Sequence, residues 1–357
     1  MMKAMARGAV VAGMVATMSL LAAPAGAKTK VPSSGVACLP GGVTTCVAVG
    51  QNATTSLGSI ARTTNGGATW QAVASPQGKQ TYNAVTCPTT TVCVAVGRKG
   101  GVVSTNGGVS WIKSSFDYGS VGVPNLTSVS CPTKKDCFAA GTLTPRGLAA
   151  DGVVERSSDG GRTWSATLHA GPLGGIACVS KLTCVTAGRV AFHTESGGIT
   201  WTQQTFGAGL SSPLSAVACA TSLLCFAVGT NLAVLHDVTV PGVFEVTTDA
   251  SQTPWSSVSS PPASTGTVRE IACTPTTGAC FAGGLAPSIG AAPSFASLAS
   301  PSDQWASATV PTGFASVTAL SCPSDATCVA LGTSSAGKTV FASGTLAGGV
   351  WSWVAAP

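Results

Sequence analysis

Fourteen cysteines that fall into seven short-range couples constrain this chain more than any other feature of its sequence. The couples are Cys38/Cys46, Cys87/Cys93, Cys131/Cys137, Cys178/Cys184, Cys219/Cys225, Cys273/Cys280 and Cys322/Cys328, with none left over among 357 residues. Successive first cysteines lie 41 to 54 residues apart. A period of that size marks an array of supersecondary units. The runs between are short, Gly-punctuated and rich in Val, Thr and Ser, without 3.6-residue apolar periodicity, so the units read as strands. The pattern predicts an all-β, seven-bladed β-propeller with four antiparallel strands per blade. Blades should start near residues 35, 82, 126, 174, 214, 268 and 317, within one domain over 28–357.

Opposed positions on an antiparallel pair lie about 4.5 to 5.5 Å apart, which a disulfide accepts. Each couple can therefore staple the turn between the first two strands of its own blade, a loop worth about 2 kcal/mol in the chain-entropy model. Five couples have the spacing C-x5-C, which is not a zinc spacing, and His169, His193 and His236 follow no repeat of their own. No metal and no cofactor is expected. Two residues before each first cysteine stands Val36, Val85, Val129, Ile176, Val217, Ile271 or Leu320, and the residue between is small every time. That alternation suits an innermost strand pressed on both faces by neighbouring blades.

Tryptophans keep step with the cysteines: Trp70, Trp111, Trp164, Trp201, Trp255, Trp305 and Trp351 each follow one couple. Ahead of the first four stand Thr63-Thr64-Asn65-Gly66-Gly67-Ala68-Thr69, Ser104-Thr105-Asn106-Gly107-Gly108-Val109-Ser110, Ser157-Ser158-Asp159-Gly160-Gly161-Arg162-Thr163 and Thr194-Glu195-Ser196-Gly197-Gly198-Ile199-Thr200. An Asp or Asn at a hairpin tip bonds nearby backbone N–H groups, Gly-Gly supplies positive φ, and the Trp anchors the turn. With this S/T-x-D/N-G-G-x-T/S-W pattern the chain resembles the BNR/Asp-box propellers, a group that includes sialidases, sortilin-type receptors, some endoglucanases and the photosystem II assembly factor family. The resemblance decays after the fourth blade, where little more than Thr247-Thr248-Asp249, Trp255, Trp305 and Trp351 survives. It implies fold, and it casts the motif as a folding device.

Residues 1–27 read as a secretory signal: Lys3 and Arg7, an apolar run from Gly8 to Ala23, and Ala25-Gly26-Ala27 as the cleavage site. Export agrees with disulfides, which persist in oxidising compartments. The expected location is extracellular or at the cell surface, with no membrane span once the signal is cleaved, as a monomer. Only 8% of residues are charged and no basic cluster occurs, which argues against nucleic acid as a partner.

In an up-and-down blade the cysteine turn and the Trp-bearing turn lie on one face of the ring. The other face carries the two-to-three turns and inter-blade links, the variable loops where binding is the default expectation. On that face the candidates for ligand contact are Tyr82, Phe116, Asp117 and Tyr118 in the links, and Arg146 and Asp237 in the insertions of blades three and five. Arg269 and Glu270 complete the set, on an inner strand where the positions matching Glu270 hold Ala84, Ser128, Gly175, Ala216 and Ala319.

A sialidase would need three convergent arginines and a tyrosine nucleophile. Arg62, Arg156 and Arg162 flank the Trp-bearing turns, on the other face. A glucanase would need two carboxylates across a cleft, drawn from Asp117, Asp151, Glu155, Asp237, Glu245 and Glu270, together with aromatics that this chain spends on its repeat. The favoured expectation is a secreted, non-catalytic binding or scaffold propeller recognising a protein or a cell-envelope glycan; the alternative is a glycoside hydrolase.

Overall fold

The computed structural model describes residues 30–52, 55–76, 80–117, 122–144, 151–206, 213–221, 224–230, 242–247, 255–257, 267–285, 293, 295–300, 305–347 and 350–356. All regular structure in them is β. The expected signal segment and the candidates Tyr118, Arg146 and Asp237 lie outside the described residues.

The first run shows the plan: Gly35–Cys38, Cys46–Gln51, Gly58–Thr63 and Gln71–Val73 pair in sequence order as an antiparallel meander. Further meanders open with the strands Thr81–Thr86, Val123–Ser130, Leu173–Cys178, Leu214–Cys219, Val268–Cys273 and Ser316–Ser324. The meanders opened by Thr81–Thr86 and Val123–Ser130 join into one nine-stranded sheet through the single pair Asn125↔Arg98. Each opening strand lies against the next in chain order, and Ser316–Ser324 returns to Gly35–Cys38, so the array closes into a ring.

Cysteines govern the first hairpin of every run. All seven expected disulfides are present, with Cα atoms 3.9 to 4.1 Å apart, and no free cysteine occurs among the described residues. Cys38↔Cys46, Cys178↔Cys184, Cys219↔Cys225 and Cys273↔Cys280 are directly opposed in the ladder, as expected.

The other three couples correct that expectation. Cys87–Cys93, Cys131–Cys137 and Cys322–Cys328 are bonded, but the ladder between their strands loses its regular pairing one residue short of the bridge, at Thr86↔Val94, Ser130↔Phe138 and Ser321↔Val329. Cys93, Cys137 and Cys328 instead keep their ladder partners on the third strand, Ser104, Ser157 and Gly344. The cause is the next residue. In these three runs it is Pro88, Pro132 or Pro323, which has no N–H to give. In the four regular couples Leu39, Val179, Ala220 and Thr274 stand there, and each donates its N–H across the turn at 2.8 to 3.1 Å. Where proline removes that bond, the disulfide closes the end of the hairpin together with side-chain bonds within the turn, from Val92 N to Thr89 Oγ1, Asp136 N to Thr133 Oγ1, and between the Ser324 and Thr327 hydroxyls. Such loops are worth about 2 kcal/mol each. They fit an oxidising compartment. No helix of the described residues is long and apolar enough to cross a membrane.

The Gly-Gly turns repeat one bonding pattern. In the third run Ser157 Oγ accepts from Gly161 N at 2.9 Å and donates to Asp159 Oδ1 at 2.8 Å. Asp159 Oδ1 accepts from Arg162 N at 3.0 Å and Thr163 N at 2.9 Å, and Oδ2 from Thr163 Oγ1 at 2.7 Å. Thr63/Asn65, Ser104/Asn106 and Thr194/Ser196 repeat the arrangement. Both glycines of each turn have positive φ, for example 77° at Gly160 and 87° at Gly161, where a side chain is strained. The turn leans on the cysteine turn of its own run: Gly66, Gly107, Gly160 and Gly197 donate to Thr44, Thr91, Lys135 and Leu182 carbonyls at 2.7 to 2.9 Å. Both turns therefore occupy one face of the ring, as their chain order requires.

The second glycine also touches the preceding run. A Cβ on Gly108, Gly161 or Gly198 would meet Val47, Val94 or Phe138 at 2.6, 2.8 and 3.1 Å. Gly67 does the same against Phe341 of the last run, which Trp70 meets edge-on at 5.4 Å, while Thr339 Oγ1 donates to Val31 O at 2.7 Å. These contacts shut the ring by packing. The core is correspondingly divided, each cluster drawing on two neighbouring runs, as in Val47, Ile60, Tyr82, Val85 and Trp111. Buried residues of this kind contribute about 1.5 to 3 kcal/mol each.

Two further expectations need correction. Tyr82, expected in an inter-blade link, is the second residue of an inner strand; it is wholly buried with its hydroxyl 2.6 Å from Ser75 Oγ. Phe116 and Asp117, expected in a free link, form a strand, Ser115–Asp117, that pairs parallel with Thr163–Ala170 on the outer edge of the third run. Its cause is the Phe116 ring, which stacks on Trp164 at 5.4 Å and 3° between planes. Offset stacking of that kind adds about 0.5 to 1.5 kcal/mol to area burial.

Candidate functional site

Four residues before each first cysteine stand Ser34, Asn83, Thr127, Gly174, Ser215, Arg269 and Thr318. In six of the seven inner strands the pairing register skips this residue: Asn83, Thr127, Gly174, Ser215, Arg269 and Thr318 each sit in a β-bulge. A bulge leaves one residue unpaired, bends its strand and re-aims the side chain. Here Asn83, Thr127, Ser215 and Arg269 are turned to the axis of the ring. Ser34, Asn83, Thr127, Ser215, Arg269 and Glu270, with Pro213, line a mouth of about 360 Å³ on the face opposite the cysteine turns.

Below this mouth the channel narrows to about 160 Å³. The waist is made by Val36, Val85, Val129, Ile176, Val217, Ile271 and Leu320, the apolar residues that precede each first cysteine by two. Their alternation marks the wall of the channel. Beyond the waist a wider mouth of about 720 Å³ is lined by the disulfides and by Pro40, Pro88, Pro132, Pro275 and Pro323.

Small residues three before each first cysteine are required by close approach of adjacent inner strands. A Cβ on Gly175 would lie 2.9 Å from Ala216 Cα, and one on Gly35 3.1 Å from Ala84 Cα. Glu270 takes this place in the sixth inner strand and borders both the mouth and the waist. Burial pushes its carboxyl up to about 8, against the opposing pull of Arg269. Arg269 itself is exposed. The two neighbours form no ion pair: among the described residues the one salt bridge is Arg156–Asp136, at 3.9 Å.

Three polar residues of the mouth, Asn83, Thr127 and Ser215, spend their donors on the frame. Asn83 Nδ2 donates to Leu126 O at 2.8 Å and to Asn125 Oδ1 at 3.0 Å. Thr127 Oγ1 donates to Gly174 O at 2.8 Å, and Ser215 Oγ lies 3.2 Å from Val228 O. These bonds stitch inner strands to their neighbours and leave oxygen lone pairs as the remaining capacity of the mouth.

Of the sequence-derived candidates, the structure brings together Arg269 and Glu270 and sets Tyr82, Phe116 and Asp117 apart from them. Asn83, Thr127 and Ser215 were missed. Their signal was present, a fixed offset of four before the cysteine, but it carries no common residue type. A second acid stands out elsewhere: Glu155 is 1% exposed, its Oε2 has no hydrogen-bond partner, and burial, then the charge of Asp117, push its carboxyl up to about 7. It lies inside the third run, away from the mouth.

No family model matches the chain, and no curated protein matches its sequence. Solved structures do resemble it. YCF48 bound to D1 peptide superposes with a TM-score of 0.56 at 16% identity, over 87% of this chain and 94% of that one. Sqt1 of Chaetomium thermophilum bound to the N-terminus of ribosomal protein L10 gives 0.53 at 13% identity, over 90% and 86%. An ancestral GH74 enzyme gives 0.50 at 15% identity, over 90% of this chain and 56% of that one. At such identities the likeness is one of fold, and the fold is a β-propeller.

Proposed function

We propose that the chain is a secreted, seven-bladed Asp-box propeller, one four-stranded meander per blade, that works as a non-catalytic binding module. Its partner is a protein or a cell-envelope glycan, held at the mouth opposite the cysteine turns. The observation that carries this reading is the bulge series: four of the bulged residues, Asn83, Thr127, Ser215 and Arg269, line the mouth, and these residues vary while the frame behind them repeats. Binding residues on a rigid scaffold follow that division. Propeller neighbours that hold a D1 peptide and the N-terminus of a ribosomal protein lend support to a protein partner. The GH74 neighbour keeps the hydrolase as the second reading. Glycoside hydrolysis of the usual kind uses two carboxylates about 5 to 9.5 Å apart. Glu270 is the one acid among the described residues that line the mouth.

The test is retention of envelope proteins and glycans by the immobilised mature chain, with Ser34→Arg to obstruct the bulged mouth and Thr89→Arg on the cysteine face as control. Loss of the partner with the first change alone supports the reading. Release of reducing sugar from β-glucans, abolished by Glu270→Gln, would replace it with the hydrolase.

A further inference from the structure

We propose that the bulged mouth of the channel receives a primary ammonium group of a polypeptide, with Glu270 as its counter-ion. This names the chemistry of the partner in the binding reading above and rests on it. Three observations support it. Glu270 is the one side chain larger than Ser at its position around the ring, the others being Gly35, Ala84, Ser128, Gly175, Ala216 and Ala319. It borders the channel, and no donor from the described residues satisfies its carboxylate. The mouth around it offers acceptors, because Asn83, Thr127 and Ser215 have committed their N–H and O–H groups to backbone or side-chain oxygens.

A site with a half-buried, unpaired carboxylate and several oxygen lone pairs is complementary to a cation that brings multiple donors. An ammonium brings three, arranged tetrahedrally, whereas a guanidinium brings a planar fork suited to one bidentate carboxylate. The acceptors here come from separate inner strands spaced around a ring, which matches the tetrahedral group. The apolar waist just below the mouth stops entry deeper into the channel. Arg269, exposed at the rim, is the one opposing charge among the residues lining this mouth, and it tunes affinity downward.

Two sources share this chemistry, a lysine side chain and a chain N-terminus, and pH separates them. Glu270 must shed its proton to pair, and its carboxyl sits up at about 8. A lysine stays charged to about pH 10, while an α-amine loses its charge near pH 8. The probes are acetyl-Gly-Lys-Gly-amide, Gly-Gly-Gly-amide with a free amine, and acetyl-Gly-acetyllysyl-Gly-amide. Each is titrated into the mature protein by NMR or calorimetry at low salt.

Binding of the lysine probe should tighten about tenfold between pH 7 and 9, as the ionised fraction of Glu270 rises from roughly a tenth to nine-tenths. The free-amine probe should bind best near pH 8 and the acetylated probe should not bind. Glu270→Gln should weaken the lysine probe at pH 9 at least about tenfold. Arg269→Ala should move the rise in lysine binding to higher pH, since Arg269 holds the Glu270 carboxyl down, and should strengthen binding a few-fold once Glu270 is ionised, a pattern that misfolding would not produce. A flat pH profile, equal binding of the acetylated probe, or indifference to Glu270→Gln would each overturn the proposal. If a partner is lost with Ser34→Arg yet kept at full strength by Glu270→Gln at pH 9, the ammonium site falls while the binding module stands.

Discussion

Glu155 gives the sharpest quantitative test of how this ring holds together. Its side chain is 1% exposed on the third strand of the third run, Oε2 is unpartnered, and burial followed by the charge of Asp117 raises its carboxyl from 4.5 to about 7. A carboxyl whose folded pKa is raised stabilises fully only below its unfolded pKa, and that stability is lost as pH rises through the folded value. A rise of about 2.5 pH units corresponds to about 3 kcal/mol, with about 2.5 kcal/mol of the loss falling between pH 5 and 8. Glu155→Gln keeps the shape of the protonated acid and cannot ionise. Denaturant midpoints of wild type and variant, measured from pH 5 to 8 and converted with a common slope, should therefore diverge steadily in favour of the variant. The difference between the two proteins isolates this residue from Glu270, whose carboxyl titrates in both. Asp117→Asn should shrink the divergence by removing the second cause of the shift. A difference that stays constant with pH, or moves toward the wild type, would refute the claim that an unpaired carboxylate is forced into the third run.

Asp159→Ala removes the acceptor of bonds from Ser157, Arg162 and Thr163. It should cost about 1 to 3 kcal/mol at neutral pH. Burial alone would raise this carboxyl's pKa, but the hydrogen bonds from Thr163, Ser157 and Arg162 together outweigh it and hold the pKa low. The wild-type advantage should therefore fade as pH drops through the carboxylate range; an advantage that survives full protonation would contradict this origin. Gly161→Ala and Gly313→Ala separate backbone strain from contact, since φ is 87° and 91°, yet only the first would place a Cβ 2.8 Å from Val94. Gly313→Ala should cost about 1 kcal/mol, and Gly161→Ala clearly more, both read from thermal midpoints; equal losses would remove the inter-run contact from the account.

The parts of this molecule that were legible in its sequence are those enforced at every turn of the repeat. Cys38 to Cys46 must pair because opposed ladder positions bring them together, and Ser157-Ser158-Asp159-Gly160-Gly161 must turn because its own hydroxyl and carboxylate close the bonds. What was not legible depends on register. Alternation with a period of two predicts which face a residue takes only while pairing is regular, and one skipped residue, as at Thr127 between Leu126 and Ser128, breaks that count. Tyr82 shows the same effect from the other side: one residue before a bulge, it is turned into the core, and no nearby sequence signal distinguishes it from a link residue. Phe116 was unreadable for a different reason, since its partner Trp164 lies 48 positions on and the parallel pairing between them has no local signature. The bulge is therefore where structure and function meet. The staple fixes one end of each inner strand and the apolar waist fixes its middle. The bulge then frees a single side chain, at a known distance from the cysteine, to differ from blade to blade without disturbing the ring. Arg269 and Glu270 are where that freedom departs furthest from small or neutral residues, and a large, half-buried carboxylate there has no packing reason to exist. Its position beside a mouth where Asn83, Thr127 and Ser215 keep only oxygen lone pairs to offer is what makes recognition of a cation the economical explanation for it.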